Sequence, residues 1–401
     1  MNILSISHLS LVPYDPPSGY GGKAFHKPTE ALVSYGCDVH VVSPVPFSPF
    51  PIKNLSKKWK KYSVVPKFEN INSVCVFHPR YISFPRSLFM SLSGLLMYYS
   101  MKHLTRTIYD GKRFDVIHAH NVYPDGYAGL LCSRRFNKPL VVTARATDVD
   151  ITSNINSFYF RVIKKVLDDA TRVVVPSPRL YKAVESKFGI QANVICNGID
   201  VDEINSYIKK QNQRIHYGGK IVIMSVCQLI KSKGIDLNLL AIKSLISKCN
   251  HLYYIIIGDG PERSNLEKLS FDLGLVKVVK FMGTLTHSET IQYIDCCEIF
   301  SMPSWQETFG LVYLEAMALG KPIIGCKGQG MDTIISDEKI GMLTEPKDWK
   351  SVAFAMDYLL NNPTEVKEMG LRGSKLIVKE FTHTRHAEKI FELYKSIVGQ
   401  I

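Results

Sequence analysis

FSMPSWQETFGLVYLEAMALG, residues 300–320, holds a strand end, a loop and a helix start in one line. The apolar run closes near Met302, and PSWQETFG (303–310) has the Pro, Ser and Gly of a loop. An apolar helix then begins near Gly310 and runs to Leu319. A glycine there lets the backbone approach a ligand closely. The free amides of a helix N-terminus make an anion site. Glu307 precedes the helix and Glu315 lies about one turn inside it. Carboxylates repel a phosphate held on those amides, so hydroxyl groups are their natural ligands. Taken alone, the two glutamates also read as an acid on a helix dipole and a satisfied core residue.

Working outward, short β-branched runs alternate with amphipathic stretches. NILSIS, DVHVVS, DVIHAH, LVVTA, RVVVPS and NVICNGI form a first series, and KIVIMSVCQL, YYIIIGDG, VVKFMG, EIFSMPS and PIIGCK a second. Helical patterns separate them, as expected of buried parallel strands in doubly wound α/β sheets. The pattern predicts a first domain over 1–201, a polar linker over 202–219 and a second domain over 220–380. An amphipathic helix over 381–401 is expected to pack back on the first domain.

The 401 residues are 46% hydrophobic and 21% charged, which argues against a disordered or fibrous chain. Nine scattered cysteines without a CxxC pair suggest neither a zinc site nor a redox motif, and fit a reducing cytoplasm. The net charge of +13 is lopsided. Residues 1–200 hold 25 basic and 13 acidic side chains, and the rest 24 and 23. The first half therefore faces an anionic surface or ligand. KNLSKKWKKY (53–62) sets five lysines around a Trp and a Tyr, and a mostly apolar stretch follows at 81–104. This reads either as a solvated charge run and a core helix, or as a patch for an anionic membrane. No nucleic-acid motif accompanies it, so nucleic acid is not an expected partner.

The E-x7-E phrase Glu307/Glu315, with PS before it, resembles the retaining glycosyltransferases of family 4, which have the GT-B fold: two Rossmann-like domains facing a central cleft. SGYGG (18–22), DVIHAHNVYPDGYA (115–128), VVTARATDVD (141–150), VVVPSPRL (173–180) and NGID (197–200) match in the family's order. So do KGIDL (233–237), GDGP (258–261), VKFMGTL (279–285) and GQGMDTII (328–335), and the histidine segment is similar to that of cell-surface-polysaccharide members. The resemblance implies transfer of a sugar from a UDP- or GDP-sugar to a saccharide or lipid-linked saccharide acceptor, in the cytoplasm or at the inner face of the plasma membrane. It implies neither a cofactor nor a metal; the strings Asp148-Val149-Asp150 and Asp200-Val201-Asp202 fall inside other motifs.

By the same resemblance, Lys233 neutralises the donor's diphosphate. The usual Arg five positions earlier is replaced by the neutral Gln228. Glu315 holds the ribose, and Glu307 holds the transferred sugar beside the amides of Phe309, Gly310 and Leu311. Gly21 and Gly22 let a loop approach the phosphate, and Arg145 with Asp148 ends a strand on the cleft side. Of the two histidines in HAH, His120 is nearer the strand's C-terminal end and is the active-site candidate; His118 is a supporting residue. His120 is expected to stabilise an oxocarbenium-like transition state through its ring or its carbonyl. The departing phosphate is expected to help take the acceptor's proton. His8 follows the first strand as a cleft-lining candidate, and Asp125 is read both as an acceptor-side group and as a turn residue. Competing readings are a GT-B epimerase or phosphorylase, and a silent nucleotide-sugar-binding scaffold, which Gln228 favours.

Overall fold

The computed structural model describes residues 1–8, 23–47, 57–72, 74–83, 90–210 and 217–399. They divide into two compact units. The first comprises the described residues up to Cys196 together with the chain's end from His383, and the second runs Asn197–Thr382.

The first unit is built on an eight-stranded sheet among the described residues. Its order is Asn193–Val194, Arg172–Val175, Leu140–Thr143, Val116–Ala119, Asn2–Ile6, Asp38–Val42, Val74–Phe77, Phe68–Ile71. All neighbours are parallel except the last pair. Alternate residues serve opposite faces. Leu4, Ile6, Ile117, Ala119, Leu140 and Val142 pack under the helices Ser93–Gly111, Tyr127–Phe136 and Ser157–Asp169. Ile3, Val39, Val116 and Val141 face the other way, toward Ala387, Ile390 and Tyr394 of the terminal helix His383–Val398. Two covered faces explain why these strands are apolar throughout.

The second unit has a six-stranded parallel sheet ordered Val279–Gly283, Leu252–Ile257, Ile221–Val226, Ile299–Ser301, Ile323–Cys326, Gly341–Thr344. Sequence order runs outward in one direction from Ile221–Val226 and in the other from Ile299–Ser301. Those two strands flank a topological switch point, where ligands of open α/β sheets bind beyond the carboxyl ends. In the first unit the corresponding pair is Asn2–Ile6 and Val116–Ala119.

The linker expected over 202–219 is corrected in part. Val201–Lys209 is a helix of the second unit, capped by the Asp200 side chain on the Glu203 amide at 2.9 Å. Its polar composition belongs to an amphipathic surface helix, with Ile204 buried. The lysine run is likewise helical over Lys57–Val64, with Lys60 and Lys61 exposed.

Candidate active site

In the second unit, two loops meet at the switch point. The strand Ile221–Val226 runs into KSKG, and the strand Ile299–Ser301 into PSWQETFG. Because the strands are neighbours in register, Ile223 beside Ile299, their loops are neighbours too. The Trp305 amide donates to the Ser232 carbonyl at 3.0 Å. Gly234, at φ +71°, packs so closely that a Cβ there would lie 2.6 Å from the Pro303 carbonyl oxygen. This union brings together two residues 74 positions apart: Lys233 Nζ lies 2.6 Å from Glu307 Oε2. Both side chains are largely but not wholly buried, 17% and 12% exposed.

A third loop fixes the glutamate's backbone. The Glu307 amide donates to Gln329 Oε1 at 3.0 Å, and the Gly330 amide donates to the Glu307 carbonyl at 3.1 Å. A Cβ on Gly330 would sit 1.9 Å from the Thr308 carbonyl oxygen, so GQGMD needs its second glycine. Helix Leu311–Ala318 then starts from Gly310 at φ +80°. The amides of Phe309, Gly310 and Leu311 find no acceptor among the described residues. The Phe309 side chain is buried and lies beside Phe381, which leaves its main chain as the part a ligand can use.

Glu315 is buried in that helix, and its Oε1 lies 2.8 Å from His287 Nε2. The sequence reading missed His287. The signal was the capping box of THSE, where Thr286 and Glu289 start the helix His287–Asp295 and so place the histidine at its first position. Gln228 is exposed at the end of its strand. Gly21 and Gly22 lie outside the described residues.

In the first unit, the period of two puts Ser5, His118, His120 and Thr143 on the face covered by the terminal helix. His118 is buried, with Nδ1 2.5 Å from the Tyr394 hydroxyl and Nε2 2.8 Å from Thr143 Oγ1. Burial, then the charges of His386 and Arg145, push its pKa down to about 3. His120 stacks on it at 4.1 Å, and its Nε2 lies 3.0 Å from Ser5 Oγ. Burial first, then the neighbouring His118, Arg145 and His386, hold His120 well below the ordinary 6.5, so its ring is neutral.

Arg145 acts on the histidine directly. Its Nε donates to the His120 carbonyl at 2.9 Å, occupying one lone pair of the group expected to face a transition state. Asp148 is buried and accepts from the amides of Val122, Tyr123 and Arg145. Burial outweighs those bonds and pushes its pKa up to about 6. Arg145 and Asp148 therefore brace the HAHN turn. Arg179 pairs with Asp150 at 2.8 Å.

Comparison with known proteins agrees with this architecture. The profile described as Glycosyl transferases group 1 matches residues 207–376, and that of Glycosyltransferase Family 4 matches residues 28–203. A Bacillus subtilis (strain 168) protein named for teichuronic acid biosynthesis, TuaC, is 24% identical over 99% of both chains. The alpha-monoglucosyldiacylglycerol synthase of Acholeplasma laidlawii is 24% identical over 92% of both. Among solved structures, a sucrose-phosphate synthase from Thermosynechococcus elongatus superposes with a TM-score of 0.77 at 19% identity, covering 100% of both chains. HepE of Anabaena, solved with UDP, gives 0.70 at 21% identity, covering 99% of this chain and 100% of that one. With two matched profiles spanning nearly the whole sequence and GT-B neighbours along its full length, the chain belongs to family 4 of the glycosyltransferases.

Proposed function

We propose that this chain moves a sugar, with retention, from a UDP- or GDP-sugar to a hydroxyl of a saccharide or lipid-linked saccharide, in the assembly of a surface polysaccharide or glycolipid, using no cofactor or metal. The observation that carries the reading is the Lys233–Glu307 pair at the switch point of the second unit, beside the open amides of a helix N-terminus. Lys233 turns from Glu307 to the diphosphate. Glu307 is then free for hydroxyls of the transferred sugar, and Glu315, aligned by His287, takes the ribose. Charge builds on the leaving diphosphate, where one ammonium and fixed amides stabilise it without reorganisation. Gln228 adds a hydrogen bond but no charge.

The names of relatives support the substrate class: teichuronic acid for one, monoglucosyldiacylglycerol for another, and for HepE a structure with UDP-glucose. The test is a thermal-shift screen across UDP- and GDP-sugars. A donor at about 100 times its Kd adds about 2.7 kcal/mol of stability. A protein that no nucleotide sugar stabilises or meets with turnover contradicts the reading.

The same proposal places the protein on the inner face of the plasma membrane. No helix among the described residues is long and apolar enough to cross a membrane. The helix Lys57–Val64 supports surface attachment instead, with its lysines and a Trp59–Tyr62 pair at 6.0 Å. Basic residues near an anionic surface contribute about 1 kcal/mol each. Co-sedimentation with anionic vesicles should fall as salt rises; equal binding to neutral vesicles contradicts this attachment.

A further inference from the structure

The first unit's switch point holds a pair that the mechanism above does not use. His8 follows the strand Asn2–Ile6, and Asp125 follows Val116–Ala119, the two strands that flank the switch. The Asp125 side chain is completely buried. Its carboxylate accepts from the His8 amide at 3.2 and 3.3 Å, from His8 Nδ1 at 2.8 Å and from Asn121 Nδ2 at 3.1 Å. Main chain and ring are thus gripped by one group, which fixes the ring's plane and puts its proton on Nδ1. The His8 side chain is 27% exposed, and Nε2 bonds to no described residue. A carboxylate is costly to bury, and a turn aspartate has no need to orient a histidine whose other nitrogen is left for a ligand.

We propose that His8, aligned by Asp125, is the acceptor-binding residue of the first unit, its Nε2 accepting a hydrogen bond from a hydroxyl of an uncharged sugar acceptor. This rests on the glycosyltransferase reading above. Among the described residues, the charged groups that act on His8 are Asp125, Asp148 and Arg145. Burial lowers its pKa, but the charge and hydrogen bond of Asp125, with Asp148, outweigh burial and Arg145 and leave it above 6.5. Only the neutral ring accepts at Nε2, so acceptor affinity rises with pH through that pKa.

The test uses the full chain, UDP- and GDP-hexoses as donors and a panel of octyl glycosides as acceptor probes. Transfer to the glycoside and hydrolysis of the donor by water are read in the same reaction. In His8→Gln and His8→Ala the ratio of transfer to hydrolysis should fall roughly tenfold to a hundredfold, as for a lost buried hydrogen bond. The wild-type acceptor KM should fall as pH rises above 6.5, and that dependence should vanish in His8→Gln. Asp125→Asn should shift the slope to lower pH, and add nothing to His8→Ala. An unchanged transfer-to-hydrolysis ratio in His8→Ala overturns the proposal, as does an equal loss of both, which marks a structural role. Wild-type hydrolysis with no transfer to any octyl glycoside overturns the uncharged-sugar class. Absence of turnover and of binding with every donor overturns the glycosyltransferase reading itself.

Discussion

The two switch points share a topology and differ in chemistry. In the second unit the loops present a lysine and a glutamate that pair with each other at 2.6 Å. In the first unit they present stacked and hydrogen-bonded histidines, with Arg145 and Asp148 spent on bracing the backbone. An ion pair can exchange its partner for a diphosphate at low cost, because one favourable contact replaces another. The neutral ring of His120 cannot bind a phosphate strongly, but it suits a hydroxyl or a developing positive charge. On the proposed function, charge stabilisation falls to the second unit and orientation to the first.

The largest expected effect breaks the charge side. Lys233→Ala should reduce kcat/KM by roughly a hundredfold to a thousandfold, the scale seen when a donor to transition-state charge is removed. Gln228→Arg should be tolerated and should recover part of that loss in the double variant. Near-normal kcat/KM in Lys233→Ala would remove the second unit from its assigned role. Next comes the orientation side. His120→Ala should lower kcat about a hundredfold while donor KM moves only a few-fold, since the contact forms mainly in the transition state. A rise in donor KM matching the fall in kcat/KM would make His120 an ordinary binding group.

A smaller effect sharpens the contrast. His287→Ala leaves the buried Glu315 carboxylate without its 2.8 Å partner. Affinity for the free nucleotide should weaken about tenfold, as for an unsatisfied buried group, with the acceptor KM unmoved. The smallest is a pH drift in stability. His118, His120 and His386 all have pKa values below 6.5 in the folded chain. The unfolded chain takes up protons at these positions as pH falls through 6.5, so their contribution is complete above that pH and is lost below it. From pH 7 to pH 6 the loss is under about 1 kcal/mol per histidine, offset in part by His8 and Asp148, whose pKa values are raised in the folded chain, and the melting temperature should decline modestly with acid. A rise over the same range contradicts the neutral assignment.

The fold class was readable because parallel strands covered on both faces are apolar runs, and almost every run quoted from the sequence coincides with a strand. What escaped carried less signal. Gly341–Thr344 is a four-residue edge strand, and Phe68–Ile71 is an exposed antiparallel edge. The helix Val201–Lys209 was hidden by its polar surface. At the site, the residues in helix-start and strand-end phrases could be named from order alone. The partnerships could not. Lys233 with Glu307 and His8 with Asp125 are joined by strand adjacency, and His287 with Glu315 by the meeting of two helices, over separations of 74, 117 and 28 residues. Tyr394, from the far end of the chain, meets His118 across 276 positions.

The proposed reaction is transfer at the Lys233–Glu307 site with the anomeric configuration kept. It is tested most directly by proton NMR of the anomeric centre during reaction of a UDP- or GDP-sugar with a glycoside acceptor. A product signal with the donor's configuration should appear with wild type and be suppressed in Lys233→Ala. An inverted anomeric centre, or equal product from the variant, would contradict it.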